Sequence, residues 1–248
     1  MIHIGWKIIH YQSVTSTNDL VKSLAENFDA EGVIVMADEQ SQGRGQRLHT
    51  WISPSGKGLY CSLLIKPRLN PENCGLLALY SAVAVARSIR NVAGVQPRLK
   101  WPNDILLNDK KVAGVLIETT ISGRQLKHAV IGVGINLAHV DEDFPQDVRC
   151  SATSLLLYTG QMIAADRLLE TMTAEFNALY PCLSQDQGRS AKLIQEWLEN
   201  CSHLNKPVVI SVDSSSIHGI FCGVNENGQA LVMTGDKMVM VQNIEKFQ

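Results

Sequence analysis

The sequence predicts an α+β fold, with strands and helices interleaved over residues 1–204 and a small β-barrel over 205–248. Three observations carry this. A short β-branched run, Gly-Val-Ile-Val-Met-Ala at 32–37, and an apolar stretch at 59–65 have the length and apolarity of strands. Leu76, Leu79, Tyr80 and Val83 recur at helical spacing. After Pro207 the pattern changes to short strand-like stretches around the hairpin turn Asn-Glu-Asn-Gly at 225–228.

Taken in order, residues 7–14 alternate loosely and read as a strand. Ser16, Thr17 and Asn18 offer N-caps to a helix running to about Phe28. The strand at 32–37 leads into a polar, glycine-rich stretch at 38–55, long enough to suggest function. The strand at 59–65 is followed by a helix that Pro71 and Glu72 open and that ends near Val92. Arg87 and Arg90 near its end suit the helix dipole. Three β-rich stretches follow at 97–101, 111–119 and 127–136, with turn chemistry at Asn108-Asp109 and Ser122-Gly123. Helical patterning returns at 164–180 and 191–201. The tail then supplies strands at 208–212, 217–223, 230–234 and 238–242.

The chain has 248 residues, 45% hydrophobic and 19% charged, with a net charge of −2, which is ordinary globular composition without a broad basic surface for nucleic acid. The most apolar run, 76–86, falls short of the roughly 20 residues a membrane-spanning helix needs. The N-terminus has no leader pattern, so cytoplasmic residence is expected. The six cysteines are scattered without a C-x-x-C pair, which argues for reduced thiols rather than a metal or disulfide framework.

Four segments concentrate chemistry. Gly43-Arg44-Gly45-Gln46-Arg47, with Trp51 beyond it, combines free backbone and two guanidiniums as an anion trap; a solvated loop with turn glycines has the same look. No Gly-Lys-Ser/Thr follows, so this is not a Walker A loop. Lys100-Trp101-Pro102-Asn103-Asp104 groups a cation, an amide and a carboxylate beside a stiff proline. There Lys100 and Asn103 could meet phosphate, and Asp104 could accept a proton or bind Mg²⁺; the alternative is a tight turn with a surface lysine. In the segment 111–118, Lys111 enters an apolar strand, either as an edge gatekeeper or as a point charge aimed at a carboxylate or phosphate. Gly132-Val133-Gly134-Ile135-Asn136 places glycines inside a strand, where a ligand or another backbone comes close. Together these parts suit phosphate-assisted activation of a carboxylate, in which the protein supplies positioning and charge stabilisation. No G-x-S-x-G elbow or H-E-x-x-H helix is present to support other chemistries.

The order of these segments resembles the biotin–protein ligase family. Its Ser-Thr-Asn start appears as Ser16-Thr17-Asn18, its glycine–arginine loop as 43–47 with Trp51, and its Lys-Trp-Pro-Asn-Asp signature intact at 100–104. Its Lys-x-Ala-Gly-x-Leu-x-Glu and Gly-x-Gly-x-Asn strands appear at 111–118 and 132–136. Phe144-Pro145 and Ala152-Thr153-Ser154-Leu155 also match. The resemblance covers nearly the whole chain. It implies a mixed β-sheet catalytic domain with a small C-terminal SH3-like barrel.

The activity it implies is attack of biotin's carboxylate on the α-phosphate of MgATP, then transfer from the adenylate to one lysine of a biotin carboxyl carrier domain, as in acetyl-CoA carboxylase. Ser16, Thr17, Asn18 and Gln40 would hold biotin's polar ring, with Gly43, Arg44, Gly45, Trp51 and Gly114 closing around the ligand. Lys111 would bridge the biotin carboxylate and the α-phosphate. Arg47, Lys100, Asn103 and Asn136 would contact ATP. Lys111, Arg44 and Asp104 are the catalytic candidates, Asp104 accepting the proton of the incoming lysine. Which residues, if any, hold the metal is left open. Some family members dimerise through the central sheet.

Two departures stand out. Many relatives carry an N-terminal DNA-binding helix-turn-helix, and here the catalytic segments begin within the first residues, so a ligase without direct repressor activity is expected. Many relatives also have arginine where Gln46 stands, an arginine that helps retain the adenylate. One fewer charge-assisted contact, worth about 1.5–3 kcal/mol, implies faster adenylate release unless Arg47 substitutes. The nearest rival is a lipoate or octanoate ligase of the same superfamily, and a more distant one a catalytically inert biotin-binding protein.

Overall fold

The computed structural model describes every residue except 1–2, 28–30, 47–48, 184–186, 213–214, 242–243 and 248. Its main body is a seven-stranded sheet. The strands are β1 (Lys7–Val14), β2 (Val33–Gln40), β3 (Gly58–Ile65), β4 (Arg98–Lys100), β5 (Asp104–Leu107), β6 (Lys110–Ser122) and β7 (Gln125–Asn136), in the order β1-β2-β3-β7-β6-β5-β4. Only β1 and β2 run parallel; the other neighbours are antiparallel, so the sheet is mixed.

The period-two alternation of strand side chains sorts this sheet into two faces. One face carries Ile34, Met36, Leu63, Ile131, Val133 and Ile135, which belong to the large core. Against it pack α2 (Gly75–Ala93) and α4 (Ala165–Leu179), with α5 (Gln187–Glu199) packed on α2. Tyr80 of α2 meets Phe176 of α4 edge to face at 5.1 Å and donates its hydroxyl to the Phe176 carbonyl at 2.7 Å. The other face carries Val33, Val35, Leu64 and Val130, covered by Val21 of α1 (Thr17–Asn27). Beyond α1 this second face reads Gly132, Gly134 and Asn136 on β7 and Gly114 on β6. Without side chains at the three glycines, this face admits Trp51, Asn18 and Lys111, and the site forms there.

The expected elements recur with specific differences. The stretch expected to be irregular from 38 instead continues β2 to Gln40, because Gln40 still pairs in register with Val14. Asp104–Leu107 forms an unforeseen strand; Asn108 and Asp109, both at positive φ, turn it straight into β6. A short helix α3 (Leu155–Thr159) also went unforeseen, capped by Ser154 Oγ accepting from Leu157 N at 3.0 Å and ended by Gly160 in the left-handed region. Arg87 does more than face a helix dipole: it pairs with Glu196 of α5 at 2.5 Å and with Glu175 of α4 at 3.2 Å. The expectation that no stretch has the length for a membrane span needs correction. Pro71–Ala93 is long and apolar enough, and it is so because most of it is buried between the sheet and α4.

The tail forms a five-stranded antiparallel sheet of the expected SH3-like kind. It comprises β8 (Pro207–Val212), β9 (Ser215–Val224), β10 (Ala230–Thr234), β11 (Lys237–Val241) and β12 (Ile244–Phe247), in the order β11-β10-β9-β8-β12. The fifth strand, β12, was not anticipated. Val208, Ile210, Phe221, Ala230 and Val232 join the same core as α2 and the large sheet. The hairpin turn at 225–228 is held by Asn225 Oδ1, which accepts from the amides of Asn227 and Gln229. It presses on the start of α2, where a methyl on Gly75 would lie 2.4 Å from the Asn227 carbonyl.

Candidate active site

A cleft of about 970 Å³ lies over the glycine-floored face, at the upper end of the roughly 300–1,000 Å³ usual for small-molecule sites. It gathers all four segments singled out in the sequence, together with Ser16, Thr17, Asn18 and Gln40 and the later segment around Phe144 to Ala152.

Lys111 is turned into the cleft by a bulge. In a regular strand Lys111 and Gly114, three apart, would face opposite ways. Against β5, Leu106 pairs with Lys111 and Ile105 with Ala113, so Val112 is extra and the alternation shifts. Lys111 is thereby turned to the same side as Gly114, where a methyl would meet its Cε at 2.9 Å. Its backbone is pinned on the other edge as well, its amide donating to Ser151 O at 2.7 Å and its carbonyl accepting from Thr153 N at 2.9 Å. The ammonium pairs with Asp104 Oδ1 at 2.6 Å and lies 5.3 Å from the centre of the Trp51 ring. A cation, a carboxylate and an indole face thus share one corner of the cleft.

The strand glycines make room mainly for protein side chains. A methyl on Gly134 would lie 2.4 Å from Cε2 and Nε1 of Trp51, and one on Gly132 would lie 2.3 Å from Asn18 Oδ1. Trp51 is therefore seated on the sheet face, its Nε1 buried without a hydrogen-bond partner. The loop before it closes on itself: Gly45 N donates to His49 O at 2.7 Å and Trp51 N to Gly43 O at 2.9 Å. Gly43 is needed for this, since a methyl there would stand 2.4 Å from the Trp51 carbonyl; at Gly45 nothing comes nearer than 3.4 Å.

Another part of the cleft wall is a connected polar network. Gln40 Oε1 accepts from Thr17 N at 3.0 Å and Thr17 Oγ1 at 3.1 Å, while Gln40 Nε2 donates to Ser53 Oγ at 2.9 Å. Ser62 Oγ sits 2.7 Å from Thr17 Oγ1 and 2.5 Å from Asn18 Oδ1. Asn18 Nδ2 donates to Glu118 Oε2 at 2.6 Å. Arg44 pairs with Asp19 at 2.6 Å and approaches Glu118 Oε2 at 3.5 Å. Ser16, Thr17 and Asn18 are all buried, so these polar groups are fixed rather than solvated.

The ATP-side candidates divide. Lys100, Asn103 and Asn136 line the cleft. Asn103 and Asn136 are already engaged through their amide nitrogens, which donate to the Val115 and Thr153 carbonyls respectively. Arg47 lies outside the described residues. The peptide bond between Trp101 and Pro102 is cis. Among the described residues no group of three His, Cys, Asp or Glu side chains gathers to hold a metal.

Sequence reasoning passed over Ser62, Ser53, Lys22 and Glu118. Ser62 had a readable signal, a hydroxyl inside the apolar run Gly-Leu-Tyr-Cys-Ser-Leu-Leu-Ile of β3. Glu118 stood at the end of the Lys-x-Ala-Gly-x-Leu-x-Glu segment but was given no role there, and Ser53 and Lys22 had no signal, because their partners come from distant elements.

Comparison with known proteins agrees with this geometry. The model of the Biotin/lipoate A/B protein ligase family matches residues 10–136. The chain is 30% identical over 244 residues to the bifunctional ligase/repressor BirA of Bacillus subtilis, covering 98% of this chain and 74% of that one. It is 30% identical over 204 residues to the biotin–[acetyl-CoA-carboxylase] ligase of Paracoccus denitrificans, covering 81% and 83%. It superposes on a biotin protein ligase from Aquifex aeolicus, in complex with biotin and ATP, with a TM-score of 0.77 at 26% identity, covering 98% and 97% of the two chains. With the matched segments converging on one cleft, the chain belongs to the biotin/lipoate A/B protein ligase family, among its biotin–protein ligases.

Proposed function

We propose that this enzyme activates biotin with MgATP and transfers it to a single lysine of a biotin carboxyl carrier domain in the cytoplasm. The observation that carries the reading is the placement of Lys111, with its ammonium 2.6 Å from Asp104 and facing the Trp51 ring inside a cleft that also holds the buried Thr17–Gln40 network.

The groups of residues lining the cleft suit different parts of a biotinyl adenylate. The network of Ser16, Thr17, Asn18 and Gln40 offers donors and acceptors fixed in place, as a neutral ring with its own amides and carbonyl requires. Lys111 offers a point charge where a carboxylate and an α-phosphate oxygen meet and negative charge accumulates in the transition state. Lys100, Asn103 and Asn136 supply the adjoining wall for the nucleotide. Mg²⁺ would arrive as part of the nucleotide substrate, bound to its phosphates. Asp104 keeps Lys111 oriented until the adenylate forms. Once Lys111 turns to the phosphate, Asp104 is released to take a proton from the acceptor lysine.

Intact mass of a biotin carboxyl carrier domain, incubated with the enzyme, biotin and MgATP, tests the proposal. One added biotin is expected, lost when the acceptor lysine is replaced and strongly reduced by Lys111→Met. Modification of a lipoyl domain with lipoate instead would move the substrate to the sister activity. No modification of either would overturn the ligase reading.

A further inference from the structure

Glu118 closes the Lys-x-Ala-Gly-x-Leu-x-Glu strand, yet it does not line the cleft. It receives three donors from two other elements. Asn18 and Lys22, one turn apart on α1, both donate to it, Asn18 at 2.6 Å, and Arg44 of the glycine–arginine loop lies 3.5 Å away. Burial alone would raise this carboxyl, but the hydrogen bonds from Lys22 and Asn18 and the charges of Lys22 and Arg44 hold it below the usual carboxylate range. An ionised carboxylate only accepts, so the Asn18 atom facing it must be the amide nitrogen. That fixes Asn18 Oδ1 toward Ser62 Oγ at 2.5 Å and so fixes the amide that Asn18 presents at the cleft wall. Among the described residues no other partner does: the Ser62 hydroxyl can donate or accept and would tolerate either face of the amide.

We propose that Glu118 is a positioning residue of the ligase reaction, setting the amide orientation of Asn18 in the biotin subsite and, beside the nearer Asp19, adding a second charge that holds Arg44 against α1. The inference rests on the ligase reading. Its two halves depend on different properties of one carboxylate. Orienting Asn18 needs only an acceptor oxygen, while tethering Arg44 needs the charge.

The variants Glu118→Ala and Glu118→Gln separate these halves. Biotin-dependent ATP–pyrophosphate exchange gives the KM for biotin, and labelling of a bystander protein gives the escape of adenylate. In Glu118→Ala the biotin KM rises about tenfold or more, with the KM for ATP little changed, and bystander labelling increases. Glu118→Gln recovers a near-normal biotin KM through its remaining oxygen but still labels bystanders. Wild-type enzyme without any biotin-dependent exchange would sink the ligase reading itself. Active wild type with both variants unchanged in both measurements overturns the positioning role. Equal losses of kcat, without a shift in biotin KM or in labelling, also overturn it. If Glu118→Ala fails to fold by circular dichroism, Glu118→Gln decides alone, since it must release adenylate.

Discussion

At Gly134 a single methyl group would stand 2.4 Å from the Trp51 indole, a rigid ring that cannot yield as a flexible side chain would. Gly134→Ala should therefore lift Trp51 from the sheet. The expected outcome is a changed tryptophan emission spectrum and a biotin KM raised by about tenfold, with circular dichroism unchanged. Gly5→Ala, where nothing lies within 4 Å, is the matched control and should do neither. Gln46 lines the cleft beside Arg44. Restoring the arginine that many relatives have there should add a charge-assisted contact to the adenylate, so Gln46→Arg is expected to lower bystander labelling; equal, negligible labelling by both proteins would remove the idea. The motif residues Lys111, Asp104 and Trp51 were legible in the sequence because each stands in a recognisable local string, whereas Gln40 came only from the family resemblance. What the strand glycines accommodate was not legible: the pattern signals close approach, but only the fold shows that the approaching groups are Trp51 and Asn18.

Among the elements, β6 was read in the right place but its aim was not. Strand periodicity alone would put Lys111 and Gly114 on opposite faces, and the bulge at Val112 that turns Lys111 toward the cleft depends on pairing with β5, a strand too short to stand out. The helices, with their longer periodicity, were located more securely, yet their mutual fastening was invisible. Arg87 joins α2 to α4 and α5 by pairing with Glu175 and Glu196, all three side chains partly buried. Arg87→Ala would leave two half-buried carboxylates without their cation. A loss of about 1–3 kcal/mol in urea unfolding is expected. A midpoint unchanged from wild type would mean that solvent supplies what Arg87 does.

For the molecule as a whole, the tail sheet is packed into the main domain rather than suspended from it. Leu99 exchanges backbone hydrogen bonds with Asn200 and Ser202, and Trp101, inside the Lys-Trp-Pro-Asn-Asp segment, donates its indole N–H to the Gly228 carbonyl at 3.2 Å. His203 sits in this joint, 3% exposed, its ring 4.3 Å from that of Phe221 and edge-on to Trp197. Burial, aided by the charges of Lys100 and Lys206, pushes its pKa down from 6.5 to about 3. The folded protein thus keeps this imidazole neutral at a pH where the unfolded chain protonates it. Its contribution to stability is complete above pH 6.5 and drains away as pH falls toward 3, by about 1.4 kcal/mol per pH unit. Because the joint and the catalytic core share one hydrophobic cluster, this loss should appear in the unfolding of the whole chain as one cooperative transition. In His203→Gln, urea unfolding between pH 6.5 and 4.5 should show a shallower pH dependence than wild type by about that slope. Parallel pH dependences for the two proteins would show that the joint does not keep the imidazole neutral, and a separate early transition of the tail would show that the two sheets do not unfold as a unit.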